Sequence, residues 1–263
     1  MRSSSRRTGA DLTGRADFPN KTTIFVALVA ALLVPREAAA MHLADGVLPA
    51  EWCVAWMLVA APFVVSAWRR FDAQRVRDAR QGPLVAMVGA AVFAVSCMPV
   101  PIPIVGSCSH PCGTGLAAIL IGPELTVLIA AVALLIQALF LAHGGLTTLG
   151  ADTLSMGIVG GFAGFFVYRA ARRCGLEVLS AAFLAGLLSD WATYATTAFE
   201  LSVALHGARS LLAVFGGLCL AFAPTQLPLG LLEGAVTAGA LSFLERRRKR
   251  IFAQIAGVSW EQR

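Results

Sequence analysis

The chain has 263 residues, of which 57% are hydrophobic and only 14% charged, and its mean hydropathy is +0.74. A soluble domain carries charge on about a quarter of its positions, so this composition excludes a soluble enzyme, a secreted disulfide scaffold and a disordered chain. The net charge of +6 does not point to nucleic acid, because the basic residues sit in short clusters between apolar segments.

Residues 1–21 hold Arg2, Arg6, Arg7, Arg15 and Lys21 among Ser, Gly and Thr. Thr22–Val34 is a short apolar stretch, followed by Pro35-Arg36-Glu37 and Ala38-Ala39-Ala40. A basic start, a short apolar run and small residues before position 41 describe a cleavable secretory signal peptide over 1–40. An uncleaved signal anchor, or translation starting at Met41, are the alternatives. Arg6-Arg7 has no hydrophobic follow-up of the twin-arginine kind.

Beyond Met41, apolar segments fall at about 52–68, 83–98, 114–122, 125–142, 153–168, 178–205 and 211–244. The runs 81–123, 125–151 and 210–232 contain no Asp, Glu, Lys or Arg, whereas about 20 apolar residues span a bilayer core. This predicts an all-α polytopic membrane protein with seven transmembrane helices, the third short or broken. The clusters Arg69, Arg70, Arg75, Arg77 and Arg80, then Arg169, Arg172 and Arg173, then Arg246, Arg247, Arg248, Lys249 and Arg250 lie on one side, if residue 41 is outside. The outer connections hold only Arg209. That asymmetry orients the chain with the clusters in the cytoplasm, and omitting the 114–122 segment would destroy it. The predicted organisation is therefore a signal peptide over 1–40, a seven-helix component over 41–245 and a basic cytoplasmic tail over 246–263.

Gly157/Gly161, Gly160/Gly164 and Gly230/Gly234 have the small-xxx-small spacing of close helix packing. Pro224 and Pro228 are expected to kink or break the last segment. Asp190, Glu200 and Glu233 fall within apolar segments and Glu124 starts one; carboxylates there are costly and point to function or to a polar partner. Asp152 with Asp190 could be cast as an intramembrane aspartyl pair, but nothing in the sequence places them together. No phosphate loop, HExxH element or Ser/His/Asp order supports catalysis.

The four histidines, His42, His110, His143 and His206, all map to the outer side. Cleavage after Ala40 would leave Met41 with a free amine. That amine, the deprotonated amide nitrogen of His42 and the His42 imidazole can chelate one metal through adjoining rings, and a further imidazole completes four nitrogen donors. Such tetragonal coordination suits Ni(II), Cu(II) and low-spin Co(II). His110 and His143 lie in Gly-rich connections that could fold over a small ligand, or could simply be turns. A rival reading takes Cys108 and Cys112 as thiolate ligands with His110, or as a disulfide. Cys53, Cys97, Cys174 and Cys219 read as small apolar residues.

Five stretches together resemble the CbiM/NikM family, the substrate-binding (S) subunits of cobalt/nickel energy-coupling factor (ECF) transporters. They are Met41-His-Leu-Ala-Asp-Gly-Val-Leu-Pro49, Gly106-Ser-Cys-Ser-His-Pro-Cys-Gly-Thr-Gly-Leu116, Gln137-Ala-Leu-Phe-Leu-Ala-His-Gly-Gly-Leu-Thr-Thr-Leu-Gly-Ala151, Leu188-Ser-Asp-Trp-Ala-Thr-Tyr194 and Thr225-Gln-Leu-Pro-Leu-Gly-Leu-Leu-Glu-Gly234. The resemblance covers about residues 41–245 and implies a seven-helix S component whose N-terminus folds inward. It implies metal ligation by Met41, His42 and His110, with His143, Asp45 and Asp152 surrounding and orienting those ligands. The Ser-Cys-Ser-His-Pro pattern resembles the cobalt branch, which feeds cobalamin synthesis; Cys112 and Asp152 stand where the family pattern has Thr and Asn. The implied substrate is Co(II) or Ni(II), bound outside and delivered inward across a bacterial inner membrane. The implied partners are an ATPase pair, a transmembrane coupling (T) subunit and a small accessory membrane subunit, so this chain is no enzyme. A nickel-specific S component and a stand-alone secondary metal transporter are the alternative functions.

Overall fold

The computed structural model of the chain describes residues 42–98, 100–101 and 108–247. The leader expected over 1–40, Met41 and the tail beyond 247 lie outside the described residues, as does the side chain of Cys108. Seven helical segments form among the described residues: α1 (Ala50–Arg77), α2 (Gln81–Ser96), α3 (Thr114–Ile121), α4 (Pro123–Phe140), α5 (Leu149–Arg173), α6 (Val178–Leu205) and α7 (Leu211–Arg247). Their order and approximate bounds follow the apolar segments of the sequence. The extended structure among them is one two-residue antiparallel pairing, Val100–Pro101 with Cys108–Ser109.

Five helices, α1 and α4 to α7, are long and apolar enough to cross a membrane, whereas α2 has 16 residues and α3 only 8. At 1.5 Å per residue α3 is about 12 Å long, less than half of a hydrocarbon core about 30 Å thick. Residues 110–113, which lead into it, are buried in the bundle. Gly113, at φ 70°, opens α3, and Pro123 in the first turn of α4 restarts the chain after the Gly122 corner. Glu124 follows at once, in the turn where the helix dipole favours a carboxylate. Its Oε1 accepts a bond from Arg70 Nη1 at 2.5 Å, which gives the carboxylate at the start of this apolar segment its partner.

One expectation needs correction. Of the kink or break expected at Pro224 and Pro228, the break does not occur: α7 runs through both as one 37-residue helix. A spanning helix tolerates interior prolines; between the two, α7 packs against α6, where Trp191 Nε1 donates to the Gln226 carbonyl at 3.0 Å. Asp152 lies just inside α5, next to the loop that precedes it. Helix α5 begins at Leu149, so Asp152 is buried in its first turn, directly before residues Thr153–Gly160, which have the wider i→i+5 bonding of a π-helix. Such segments recur at functional sites.

The small-residue pairs pack inside the bundle, each on its own face. A Cβ on Gly157 would come 3.0 Å from Ala130 Cβ and one on Gly161 3.1 Å from Thr126 Cγ2, so this pair faces α4. One on Gly164 would come 2.8 Å from Gly115 Cα on α3 and 3.2 Å from Ser189 Cβ on α6. Gly234 lets α7 approach the Phe183 carbonyl of α6, which a Cβ would meet at 2.8 Å. Because the Gly164 obstacle is backbone, Gly164→Leu should force α3, α5 and α6 apart at a cost of about 1–3 kcal/mol or more. A melting temperature in detergent clearly below that of the parent checks this; an unchanged one would mean that the three helices do not meet at Gly164.

Candidate metal centre

Three separate segments converge at one end of the bundle: residues 42–49 ahead of α1, residues 110–113 ahead of α3, and residues 141–148 between α4 and α5. The first is tied to the third and to α5. The Leu43 N–H donates to Asp152 Oδ1 at 2.9 Å, and the Thr148 hydroxyl donates to the Leu43 carbonyl and reaches Asp152 Oδ2 at 3.3 Å. Asp45 accepts the Thr147 N–H at 2.8 Å, the Thr147 hydroxyl at 2.5 Å and the Leu146 N–H at 3.3 Å. These bonds to Thr147 hold the exposed Asp45 carboxyl below its usual range. The 141–148 turn needs its glycine: Gly144 has φ 78°, and a Cβ there would come 3.1 Å from His42 Cβ.

The result is a cluster of His42, His110 and His143. Their ring centroids are 4.7 Å (His42–His110), 5.0 Å (His42–His143) and 4.9 Å (His110–His143) apart. One ring nitrogen of each lies within 4.8 Å of those of the other two. His110 Nε2 and His143 Nε2 are 2.9 Å apart. A proton on His110 Nδ1, which lies 3.3 Å from the Pro111 carbonyl, leaves Nε2 as a lone pair facing the cluster. His42 and His110 are buried, and His42 Nε2 has no hydrogen-bond partner among the described residues.

Burial first, then the mutual repulsion of the rings, holds the His42 and His110 imidazoles below the ordinary histidine range, His110 at about 3; burial alone lowers His143. The side-chain amide of Gln137 acts weakly in the opposite direction on His42. All three rings are thus neutral at pH 7, the state in which imidazole binds a metal. His143, expected only to orient a ligand, stands as close to the centre of the cluster as the other two.

Gln137 carries a role that the sequence reading did not assign. Buried in α4, it donates to Ser96 Oγ at 2.7 Å and Cys97 Sγ at 3.3 Å, linking the ends of α2 and α4 beneath His42. A glutamine alone in the uncharged run 125–151 was the available signal. Met41, the remaining expected ligand residue, lies outside the described residues. His206 is apart from the cluster, half-buried at the end of α6 with Nδ1 2.9 Å from the Gly207 carbonyl. Cys112 points elsewhere too: its sulfur groups with Asp190 and Glu233, not with the histidines. Asp152 and Asp190 are likewise in different clusters, the first with Leu43 and Thr148, the second with Cys112 and Glu233.

Known proteins share this architecture and sequence. A family profile described as "CbiM: Cobalt uptake substrate-specific transmembrane region" matches residues 42–251. A cobalt transport protein CbiM from Sorangium cellulosum is 60% identical over 218 residues, covering 83% of this chain and 97% of that protein. A cobalt transport protein CbiM from Salmonella typhimurium is 42% identical over 231 residues, covering 85% of this chain and 93% of that protein. A crystal structure described as a truncated transition metal transporter superposes with a TM-score of 0.68 at 25% identity, over 78% of this chain and 98% of that one. With a profile match across nearly all the described residues, and relatives aligned over almost their full length, the chain belongs to the CbiM family of cobalt-uptake transmembrane proteins, a family of membrane transport components and not of enzymes.

Proposed function

We propose that the chain is the substrate-specific S component of an ATP-driven ECF importer, that it takes up Co(II) at the outer face of a bacterial inner membrane, and that it feeds cobalamin biosynthesis. The observation that carries this reading is the convergence of His42 and His110, 68 positions apart in the chain, with His143 on one buried centre of neutral imidazoles. The ligands are the Met41 amine, the amide nitrogen and imidazole of His42, and the His110 imidazole. His143 holds His110 in place and closes the 141–148 turn over the ion, while Asp152 and Asp45 fix the backbone that follows His42. Four nitrogen donors in a plane favour Ni(II) and Co(II) over Zn(II), and the cobalt-named relatives favour Co(II).

Residues 1–40 act as a cleaved signal peptide, so the mature N-terminus is outside and α1 to α7 cross seven times, with α2 and α3 as the short members. Reporter fusions after Arg80 and after Arg250 should both read cytoplasmic; an outside signal at either would sink this topology. Energy comes from partners: an ATPase pair, a T subunit and a small accessory membrane subunit. Radioactive cobalt should accumulate in cells that make the chain with such an ATPase, and not when the ATPase carries an inactivated nucleotide site. Accumulation by the chain alone would favour a stand-alone secondary transporter, and preference for nickel in competition would reassign the substrate.

A further inference from the structure

Because α3 is so short, the turn that carries His110 also carries Cys112 into the interior of the bundle. Two residues of extended chain reach about 7 Å, so Cys112 lies within that distance, backbone to backbone, of His110. It meets two helices there. Gly186 of α6 approaches α7 so closely that a Cβ would come 2.7 Å from the Glu233 carbonyl, and Gly115 of α3 approaches α6 so closely that a Cβ would come 2.9 Å from Ser189 Cβ. These contacts leave Cys112 Sγ and one carboxylate oxygen each of Asp190 and Glu233 within 4.8 Å of one another. The three residues are 0%, 0% and 1% exposed.

Glu233 spends one lone pair of each oxygen on the turn, accepting the Cys112 N–H at 2.7 Å and the Gly113 N–H at 2.9 Å. Asp190 faces Glu233 carboxyl to carboxyl, and neither of its oxygens accepts a bond from any other residue among the described residues. No basic side chain among the described residues pairs with either carboxylate. Two carboxylates and a thiol turned towards one point in an apolar bundle are costly unless something neutralises them.

We propose that Cys112, Asp190 and Glu233 form a second divalent transition-metal site, inward of the histidine cluster. The donor set selects the ion class. One sulfur with two carboxylates suits a borderline ion such as Co(II) and offers too few oxygens for Ca(II) or Mg(II). Tetrahedral bonds of 2.0–2.3 Å set ligand atoms about 3.3–3.8 Å apart, so the observed cluster closes on an ion with a small inward movement. Three protein ligands leave a fourth position open, as a site that must release its ion requires. Its role as the next stop for an ion leaving His110 rests on the import reading above; the site itself does not.

The test uses the purified full chain, with Co(II) as the probe, read by metal content at equilibrium and by absorption. Two cobalt ions per chain are expected, the second appearing with sulfur-to-cobalt charge-transfer absorption. Cys112→Ser should abolish that absorption and bring the content to one. Asp190→Asn, nearly isosteric and leaving both Glu233 bonds in place, should weaken the second ion by about 10-fold or more while the first is kept, and size-exclusion profiles confirm that both variants are folded. His110→Ala should lose the first ion and retain the absorption. If the wild-type chain shows the sulfur absorption but no tight nitrogen-bound ion, the import reading fails and this site stands. One ion per chain without sulfur absorption overturns the site and leaves the import reading intact. So does absorption that survives Cys112→Ser and vanishes in Cys108→Ser, and so does loss of the first ion in Asp190→Asn, which would make the cluster a support for the His110 turn.

Discussion

Inserting one alanine between Met41 and His42 should abolish tight cobalt binding, by about 100-fold or more, although every side chain of the site is retained. The reason lies in how firmly the chain after His42 is held. Leu43 is bonded through its N–H to Asp152 and through its carbonyl to Thr148, and Asp45 is bonded to Thr147. The segment cannot slide to absorb an extra residue. The insertion moves the terminal amine outward by about 3.5 Å, and an ordinary peptide nitrogen, a far poorer donor, takes its place in the chelate. Extending the mature terminus by one residue ahead of Met41 should do the same, because the amine then becomes an amide. Equilibrium dialysis with Co(II) measures the effect, and N-terminal sequencing of the purified chain measures its premise. Both cleavage after Ala40 and a start at Met41 end in Met-His; a chain beginning at Met1 that still binds cobalt tightly would refute the ligand set.

His110→Ala should abolish high-affinity uptake, again by about 100-fold or more, without affecting membrane insertion. His110 lies in a turn whose backbone is held from the other side, by Glu233 at Cys112 and Gly113. Truncating its ring therefore removes a donor without releasing the turn. His143 cannot simply replace it, because its Nε2 is positioned 2.9 Å from the atom that has gone and its own turn is tied to the 42–49 segment. The loss should appear in radioactive cobalt uptake and in binding by the purified variant, at unchanged protein level in the membrane. Selectivity for Zn(II) in the parent would instead count against a planar all-nitrogen site. Uptake that persists in His110→Ala would remove His110 from the ligands.

Much of the fold was legible because its causes are local. A hydrocarbon-length run without charge forms a helix in any apolar surrounding, since backbone groups there have only one another to bond. Hence the uncharged runs and Gly-bounded corners placed all seven helical segments, including the eight-residue α3, and the glycine spacings marked faces that do pack closely. That His42 and His110 come together was legible from the resemblance of their motifs, and for His42 a chelate argument had singled out the same residue. The start of α5 at Leu149, ahead of the apolar segment at about 153–168, was not legible, because it goes with the burial of Asp152 against Leu43, a residue more than a hundred positions away.

What the tertiary structure alone decided is which polar residues share a centre. Nothing in the sequence distinguishes Glu233 holding the turn of Cys112 from Glu200, which has no hydrogen-bond partner among the described residues, since both are lone carboxylates in apolar helices. Likewise, the rival grouping of Cys112 with His110 was as good in sequence as the grouping with Asp190 and Glu233. Composition and spacing determine that these side chains exist and on which helix or loop they sit. Their direction follows from how far α3 lets its leading turn sink and from where Gly115, Gly164 and Gly186 allow helices to touch, and these are properties of packing between segments rather than of any one segment.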